Sequence, residues 1–355
     1  MRLGLNLSHL ERLTDAHGIV EHALGDVPRR ELGYCTDDAG RLLGLVAPYS
    51  DDAACERLCW SALSFLGDAS DATGFRLRRG ADGAWTDDPP SDDATGRALE
   101  GLGVAAATAI EPVARRAMEI FNATLPWRSS YSRSMSHAVI GATNVLALDP
   151  DHVGARRLIH EARDVLEPGD ASRDWPWPEP RLAYANALLI EAELVLASHF
   201  GDKSRRDAAL ALLEWLVATE SFEGHFSFTP VGGRGPGGPK PAFDQQPIEA
   251  WSMARACARA YALTGQARWA QRVARCADWF DGANDAGLAV GVPATGGGCD
   301  GLSASSVNAN QGAESTLAYL ATTLIRDGLE DPDAGAHDEV TRTRRESSLP
   351  ERSQP

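Results

Sequence analysis

Apolar residues recur at helical spacing along nearly the whole chain. In SHLERLTDAHGIVEHAL, residues 8–24, Leu10, Leu13 and Val20 fall roughly on one face of a helix. Alanine and leucine, both strong helix formers, dominate most of the other segments. The pattern predicts twelve helices, at about residues 8–24, 37–47, 51–66, 92–110, 112–123, 132–147, 151–166, 180–198, 203–219, 245–264, 266–282 and 311–327.

Strand signals are short and lie between the predicted helices. GFRLRR at 74–79 and GHFSFTP at 224–230 are each bounded by turn residues, which predicts short β-hairpins in the loops. Residues 328–355 are charged and poor in apolar side chains, a composition that predicts a disordered tail.

The predicted connections alternate in length. Every second link is tight, as at 48–50, and the links between them are long, as at 67–91. In an up-and-down chain of helices, alternate connections lie at the same end, so the long loops gather at one rim. The helices that follow long loops are mostly more apolar, as at 183–197, which is typical of an inner ring. We therefore expect an all-α (α/α)6 toroid that forms a single domain over residues 1–327.

The charge balance narrows the range of partners. With 50 acidic and 34 basic residues among 355, the chain has a formal net charge of −16, which disfavours binding to nucleic acid or to an anionic membrane surface. No segment has the pattern of a signal peptide or a membrane span, so we expect a cytoplasmic protein. The six cysteines show neither metal-ligand spacing nor a disulfide framework, and we expect no metal and no cofactor.

Two segments place a pair of aspartates ahead of an arginine at the start of a predicted inner helix. TDD at 36–38 precedes Arg41, and SDD at 91–93 precedes Arg97. A hydroxyl cap followed by acids that pair with a later arginine is also an ordinary helix start. Glu314 is harder to explain in this way, because it lies in an Ala- and Leu-rich helix, where an inward carboxylate must be paired or face a cavity. The acids that we expect at a common catalytic mouth are Asp37, Asp38, Asp93, Asp244 and Glu314.

Other polar and aromatic residues fall in the long loops and in the first turns of the inner helices. Four tryptophans lie in such loops, where indole rings either cover the edge of the core or stack on the C–H faces of sugars. Two histidines near the rim have either a structural role or a contact with substrate. The candidate substrate-binding residues are Trp85, Asp92, Trp127, Arg133, His137, Trp175, Trp177, Tyr184, His225, Gln245, Gln246, Asp300, Asn308, Asn310 and Gln311.

Sequence blocks at both ends of the chain resemble a known group. HLERLTDAHGIVEHA and GYCTDDAGRLL near the start, with FDQQPIEAW, GGGCDGL and VNANQGAESTLAYL near the end, resemble bacterial six-hairpin, glycosidase-like proteins that occur alone, fused to glycosyltransferases or encoded beside them. The resemblance covers about residues 8–327. It implies the toroid fold, a sugar substrate and a glycosyltransferase as a partner. The group's first block reads Thr-Asp-Asp-Asn-Ala-Arg, whereas Ala39 and Gly40 here replace the asparagine and the alanine, which removes an amide from the pore.

The leading functional hypothesis is an inverting glycoside hydrolase that acts on an oligosaccharide or glycoconjugate. Inversion requires a protonated carboxyl and a carboxylate roughly 6.5–9.5 Å apart, and helices on opposite sides of a pore supply such pairs. We expect Asp37 or Asp38 beside Glu314 on one side of the pore. Asp93 or Asp244 faces them. Because crowded carboxylates raise one another's pKa, one of them can stay protonated as the acid.

The alternatives come from several classes. A sugar epimerase uses the same fold but usually needs histidine bases, and a polysaccharide lyase is disfavoured by the acidic rim. A non-catalytic, glycan-binding partner of a glycosyltransferase is a further alternative. A stand-alone glycosyltransferase is disfavoured, because the chain has no nucleotide-binding strand–glycine–helix pattern.

Overall fold

Twelve α-helices make up most of the computed structural model, which describes residues 4–71, 73–87, 89–170 and 173–330. In chain order they are α1 (Ser8–Leu13), α2 (Thr36–Val46), α3 (Ala53–Ala69), α4 (Asp92–Thr108), α5 (Glu111–Thr124), α6 (Ser132–Leu148), α7 (Val153–Ala162), α8 (Asn186–Phe200), α9 (Lys203–Thr219), α10 (Pro247–Thr264), α11 (Ala267–Phe280) and α12 (Ala313–Glu330).

The even-numbered helices form a closed inner ring. Each packs against the next, and α12 returns to α2. The odd-numbered helices surround them, with α3 on α2, α5 on α4, α7 on α6, α9 on α8, α11 on α10 and α1 on α12. The inner helices begin after the long connections, so the long loops share one rim. This arrangement confirms the predicted (α/α)6 toroid.

Short antiparallel strand pairs occupy the connections. Their hydrogen bonds give the rim loops fixed shapes, and five of the six pairs are local hairpins, whereas β5 and β8 are separated in the chain by the helices α2 and α3. The pairs are β1 (Thr14–Asp15) with β2 (Gly18–Ile19), β3 (Ala23–Leu24) with β4 (Val27–Pro28), β5 (Tyr34–Cys35) with β8 (Arg78–Arg79), β6 (Ser70–Asp71) with β7 (Gly74–Phe75), β9 (Ser221–Phe222) with β10 (His225–Phe226), and β11 (Gly291–Val292) with β12 (Gly297–Gly298).

The predicted helix over 8–24 is wrong beyond its first six residues. The chain leaves α1 at Thr14 and turns back through the β1–β2 hairpin. In the turn, the carboxylate of Asp15 accepts a hydrogen bond from the backbone of His17 at 2.9 Å, and Gly18 has a φ of 135°, which favours glycine. The apolar spacing that suggested a helix therefore comes from a helix followed by a hairpin with the same buried side.

The predicted start of the helix at 180 is also wrong, because α8 begins only at Asn186. The carboxylate of Glu249 on the neighbouring α10 accepts hydrogen bonds from the backbone N–H groups of Ala185 (2.5 Å) and Asn186 (3.2 Å). These are free N–H groups at a helix start, which need a partner when buried. Glu249, 63 positions after Asn186, thus sets the start of α8.

Glycines let the inner helices α2, α4 and α6 approach at backbone contact. A Cβ atom on Gly101 would lie 2.2 Å from the carbonyl oxygen of Gly40, and one on Gly141 would lie 2.2 Å from that of Leu99. A Cβ atom on Gly40 itself would lie 2.8 Å from the carbonyl oxygen of Arg97. The glycine at position 40 is therefore required by packing between α2 and α4.

The two ends of the described chain differ from expectation in small ways. The last helix continues to Glu330, three residues beyond its predicted end. Residues 331–355, most of the predicted tail, lie outside the described residues.

Among the described helices, none has the length and apolarity that crossing a membrane requires.

Replacing Gly101 with alanine should destabilise the ring, because the new Cβ would meet a backbone oxygen at 2.2 Å. We expect the free energy of unfolding to fall by about 1–3 kcal/mol, the usual cost of overpacking, as measured by urea denaturation. Gly44→Ala is the matched control, since its Cβ would lie 3.7 Å from the Gly101 Cα, an ordinary contact. Equal stability of the two variants would contradict the close packing of α2 on α4.

Candidate active site

The first turns of the inner helices meet at the loop-rich rim, which we call the mouth. There Arg41 of α2 connects two neighbouring helices. Its guanidinium donates hydrogen bonds to Asp38 of the same helix at 2.7 Å and to Glu314 of α12 at 2.5 Å. Because both bonds are charge-assisted, they fix α12 against α2 where the ring closes.

Arg97 of α4 repeats this arrangement one helix further around the ring. Its Nε lies 3.4 Å from Asp93 of the same helix and 3.2 Å from Asp37 of α2. The hydroxyl of Tyr184 also donates to Asp93, at 3.2 Å. The two Asp-Asp segments therefore share a pattern, in which each arginine pairs with one acid of its own helix and one acid of the preceding inner helix.

A second set of charges lies deeper in the bore. Glu100 of α4 accepts hydrogen bonds from His137 of α6 and from Arg255 of α10, and the Nε of Arg255 lies 2.8 Å from Glu191 of α8. We call these four residues the lower layer. The upper layer comprises the six residues at the mouth, Asp37, Asp38, Arg41, Asp93, Arg97 and Glu314. Together the layers link side chains from all six inner helices.

Solvent reaches the carboxylates of the upper layer unequally. The side chains of Glu314 and Asp93 are 33% and 32% exposed, and that of Asp37 is 14% exposed. Asp38 is only 3% exposed. A ligand at the mouth can thus touch three of these four acids, while Asp38 mainly holds Arg41.

The acids at the mouth differ in pKa. Burial raises the pKa of Asp37 above its usual range, although Arg97 opposes this, and burial raises the pKa of Asp38 to about 7. Burial alone would also raise the pKa of Asp93, but the charges of Arg97, His137 and Arg41 and the Tyr184 hydrogen bond together outweigh burial, and the pKa is lowered. Asp37 and Asp93, which share one guanidinium, are therefore shifted in opposite directions.

The lower layer holds a neutral histidine against an ionised carboxylate. Burial, with the charge of Arg97, lowers the pKa of His137 to about 4. Burial alone would raise the pKa of Glu100, but the charges and hydrogen bonds of Arg255 and His137 together outweigh burial and lower it to about 2. A carboxylate only accepts hydrogen bonds, so the Nδ1 of His137 carries the proton. The Nε2 of His137 then carries a lone pair, and this buried atom has no hydrogen-bond partner among the described residues.

In the fifth inner helix, α10, the buried acid near the helix start is Glu249, whereas Asp244 was expected there. The side chain of Asp244 is exposed and forms no hydrogen bond or ion pair with either layer in the described chain, which argues against the expected catalytic role. Glu249 is 4% exposed and accepts the N–H groups at the start of α8, and burial raises its pKa to about 8. Its contacts are those of a structural cap.

The four loop tryptophans that were expected to be sugar platforms all contact other side chains of the protein, and two of them, Trp85 and Trp175, stay partly exposed. Trp127 and Trp177 are 7% and 3% exposed. The Trp127 indole donates to Asp92 at 2.9 Å, and Trp175 and Trp177 pack on Trp215 of the outer helix α9. Trp85 packs edge-on against Phe65 of α3. Loop position did not distinguish an exposed ring from one that seals the outer layer.

Several predicted hydroxyl-binding residues are already bonded within the protein. Arg133 forms a bidentate pair with Glu179 at 2.5 and 2.9 Å, and Gln245 is fully buried, where its side chain donates to Asp285 at 2.6 Å. His225 also bonds Asp285, at 2.8 Å. These contacts shape the rim and leave little capacity for a ligand.

The amides of the last rim loop mainly join the chain ends. Asn310 accepts from the backbone of Ala23 at 2.8 Å and donates to Asp300, and the carbonyl of Gln311 bonds the buried His9. Asn308 is exposed and Gln246 is half-buried at the start of α10. This loop connects the first and last elements of the ring through hydrogen bonds, and only its exposed residues are free to contact a ligand.

Sequence reasoning missed four residues of the bore, the charged residues Glu100, Glu191 and Arg255 and the aromatic residue Trp251. The criterion that selected Glu314, a charge inside an apolar helix, applies equally to the three charged residues. No group of His, Cys, Asp and Glu side chains among the described residues is arranged to hold a metal ion.

Several solved structures share this fold at low identity to this chain. A D-mannose isomerase matches with a TM-score of 0.69 and 10% identity over 91% of this chain and 95% of that one. A cellobiose 2-epimerase from Bacillus thermoamylovorans matches at 0.67 and 12% over 90% and 95%. A cellulase of C. cellulolyticum matches at 0.54 and 11% over 88% and 87%.

These likenesses show the fold alone. The chain is a six-hairpin (α/α)6 toroid, as the resemblance in its sequence blocks implied. No family model and no curated protein matches the chain. The association with a glycosyltransferase stays an expectation from the sequence.

Replacing Arg255 with methionine should destabilise the protein, because two buried carboxylates, Glu100 and Glu191, lose the cation that they share. We expect a loss of about 3–5 kcal/mol in the free energy of unfolding, the usual cost of breaking a buried ion pair. Arg115→Met, on an outer helix with a side chain 67% exposed, is the control. If both variants unfold at the same urea concentration, the lower layer does not stabilise the ring.

Proposed function

We propose that this protein is a carbohydrate-active enzyme and that the carboxylates at its mouth cleave a glycosidic bond. The fold supports a sugar substrate only by analogy, since folds host many reactions. The chemistry of the site is therefore the stronger support. Accessible acids, a tyrosine hydroxyl and two arginines converge where six inner helices begin.

The observation that carries the proposal is the pair of aspartates on Arg97. One acid of the pair, Asp37, keeps its proton to higher pH, and the other, Asp93, stays ionised to lower pH. Glycoside hydrolysis needs one carboxyl in each state. In the proposed reaction, Asp37 protonates the leaving oxygen, and Asp93 acts as the ionised carboxylate.

The spacing of this pair bears on the stereochemistry. The oxygens of Asp37 and Asp93 lie 3.2 and 3.4 Å from the same Arg97 nitrogen, so their separation is at most the sum, 6.6 Å. Retaining enzymes hold the carboxyl groups about 5–5.5 Å apart, and inverting enzymes roughly 6.5–9.5 Å apart. The pair therefore suits retention, in which Asp93 bonds to the anomeric carbon as the glycosidic bond breaks. Water, deprotonated by Asp37, then displaces Asp93 and releases the sugar. Inversion would instead pair Asp93 of α4 with Glu314 of α12, the other accessible acid. These two helices are further apart, because α2 lies between them in the ring.

The mouth favours a neutral sugar, because its carboxylates outnumber its arginines. Two exposed aromatic rings lie at the starts of adjacent inner helices. Tyr184 is 39% exposed beside Asp93, and Tyr131, directly before α6, is 65% exposed. We propose that these rings, rather than the four tryptophans, contact the sugar.

A second candidate is an epimerase or isomerase, which the His137–Glu100 pair favours. A neutral imidazole whose tautomer is fixed by a carboxylate has a free Nε2 that can remove a proton from carbon. In this reaction Glu100 would orient His137, and His137 would act as the base.

Incubation with neutral gluco- and manno-oligosaccharides tests both candidates, with products followed by proton NMR in D2O. Hydrolysis releases a new reducing end, and the first anomer formed reports retention or inversion. Epimerisation or isomerisation instead replaces a carbon-bound proton with deuterium without cleaving the chain. Deuterium exchange without cleavage would therefore contradict the hydrolase proposal.

Asp93→Asn and Asp37→Asn should each lower kcat by roughly 10²- to 10⁴-fold, the usual contribution of a positioned acid or base. Asp207→Asn, on the outer helix α9 with a side chain 65% exposed, is the matched control and should leave kcat unchanged. Unchanged turnover in both of the first two variants would exclude the assigned pair.

A further inference from the structure

The lower half of the bore encloses a cavity that is distinct from the mouth. Its volume is about 330 Å³, and every inner helix contributes to its lining. Asp37, Asp38, Asp93 and Glu314 do not line it. The cavity extends from Arg41 and Arg97, the two arginines of the upper layer, to the short-loop end, where Pro48 is exposed. We call it the lower cavity.

The upper end of the lower cavity carries polar atoms that lack partners. Arg41 and His137 both line it and are 8% and 4% exposed. The Nε–H of Arg41 and the Nε2 of His137 form no hydrogen bond with any described residue. Buried polar atoms are rarely left unbonded, so these two atoms mark the upper end of the cavity as a polar one, although neither is itself open to a water molecule.

One side of the cavity carries a positive charge without an ion-pair partner. Four arginines line it, and three of them, Arg41, Arg97 and Arg255, are each paired with two carboxylates. Arg259, one helical turn beyond Arg255, is half-buried and forms no ion pair within the described part of the chain. Its guanidinium is available to an anion.

The remaining walls are apolar, and they limit the size of the ligand. They include Leu45, Val104, Ile140 and the indole of Trp251. Small-molecule sites span roughly 300–1,000 Å³, and this cavity is near the lower limit. It therefore fits a ligand of about one sugar ring, with a C–H face against the walls.

We propose that the lower cavity binds a monosaccharide-sized polyol with one anionic group, a phosphate or a carboxylate. Arg259 pairs with the anion, and polar side chains of the lining, among them Asn144, bond its hydroxyls. This site is separate from the cleavage site proposed at the mouth, and its occupancy does not depend on that reaction. The ligand's charge is opposite to that preferred by the acidic mouth.

Isothermal titration calorimetry with the full-length chain tests the proposal. The probes are glucose 6-phosphate, glucuronate, glucose and inorganic phosphate. We expect at least one of the two anionic sugars to bind, at least tenfold more tightly than glucose or phosphate alone. Binding of only one anionic sugar identifies which anion the site takes. Failure of both to bind, or equal binding of inorganic phosphate, would overturn the proposal.

Two variants locate the binding. Arg259→Gln should weaken the anionic sugar at least tenfold, whereas Arg115→Gln, the same charge change on an outer helix, should leave it unchanged. Ile325→Trp places a larger side chain in the cavity wall and should also abolish binding, with folding checked by circular dichroism. Wild-type affinity in both Arg259→Gln and Ile325→Trp would place the ligand elsewhere and refute the assignment.

Discussion

The pairing of three bore arginines, Arg41, Arg97 and Arg255, with acids of more than one inner helix is the constraint on which this structure depends. Six helices that begin at one mouth bring acidic first turns together, and burying unpaired carboxylates is costly. Arg41 and Arg97 offset this cost at the mouth, and Arg255 offsets it in the lower layer. Each of the three pairs with acids from at least two inner helices. The same ion pairs therefore hold neighbouring inner helices together and neutralise the buried charges.

Close packing makes this sharing possible. Because Gly40 and Gly101 let α2 and α4 touch backbone to backbone, Arg97 can reach an acid on each helix. The same contacts divide the bore. Above the arginines, partly exposed acids form a negative mouth, and below them lies a cavity whose lining has more arginines than acids. One ring thus presents two environments of opposite charge.

Periodicity and loop length were sufficient to predict the ring, because both follow from local sequence. Boundaries set by distant partners were not predictable in this way. Glu249 determines where α8 begins, and the turn at Asp15 to Gly18 ends α1 early. Asp37, Asp38, Asp93 and Glu314 do meet as expected, since each lies in the first turn of an inner helix. The role proposed for them still rests on their chemistry.

Burial was the property that the sequence did not reveal. Trp127 and Trp177 have the loop positions of ligand platforms, yet their rings seal the outer layer. Conversely, Glu191 and Arg255 look like interruptions of apolar helices, but they face the bore and pair with each other. Which side of a helix or loop a side chain occupies depends on the packing of all six hairpins.

Carboxyl ¹³C NMR titration of the protein labelled at aspartate tests the central claim most directly, with Asp37→Asn and Asp93→Asn used to assign the two signals. The shared arginine should hold the Asp93 pKa below the ordinary value of 3.8, while burial holds the Asp37 pKa above it. Two separate transitions in that order would support the account. A common transition near 3.8, or the reverse order, would contradict it.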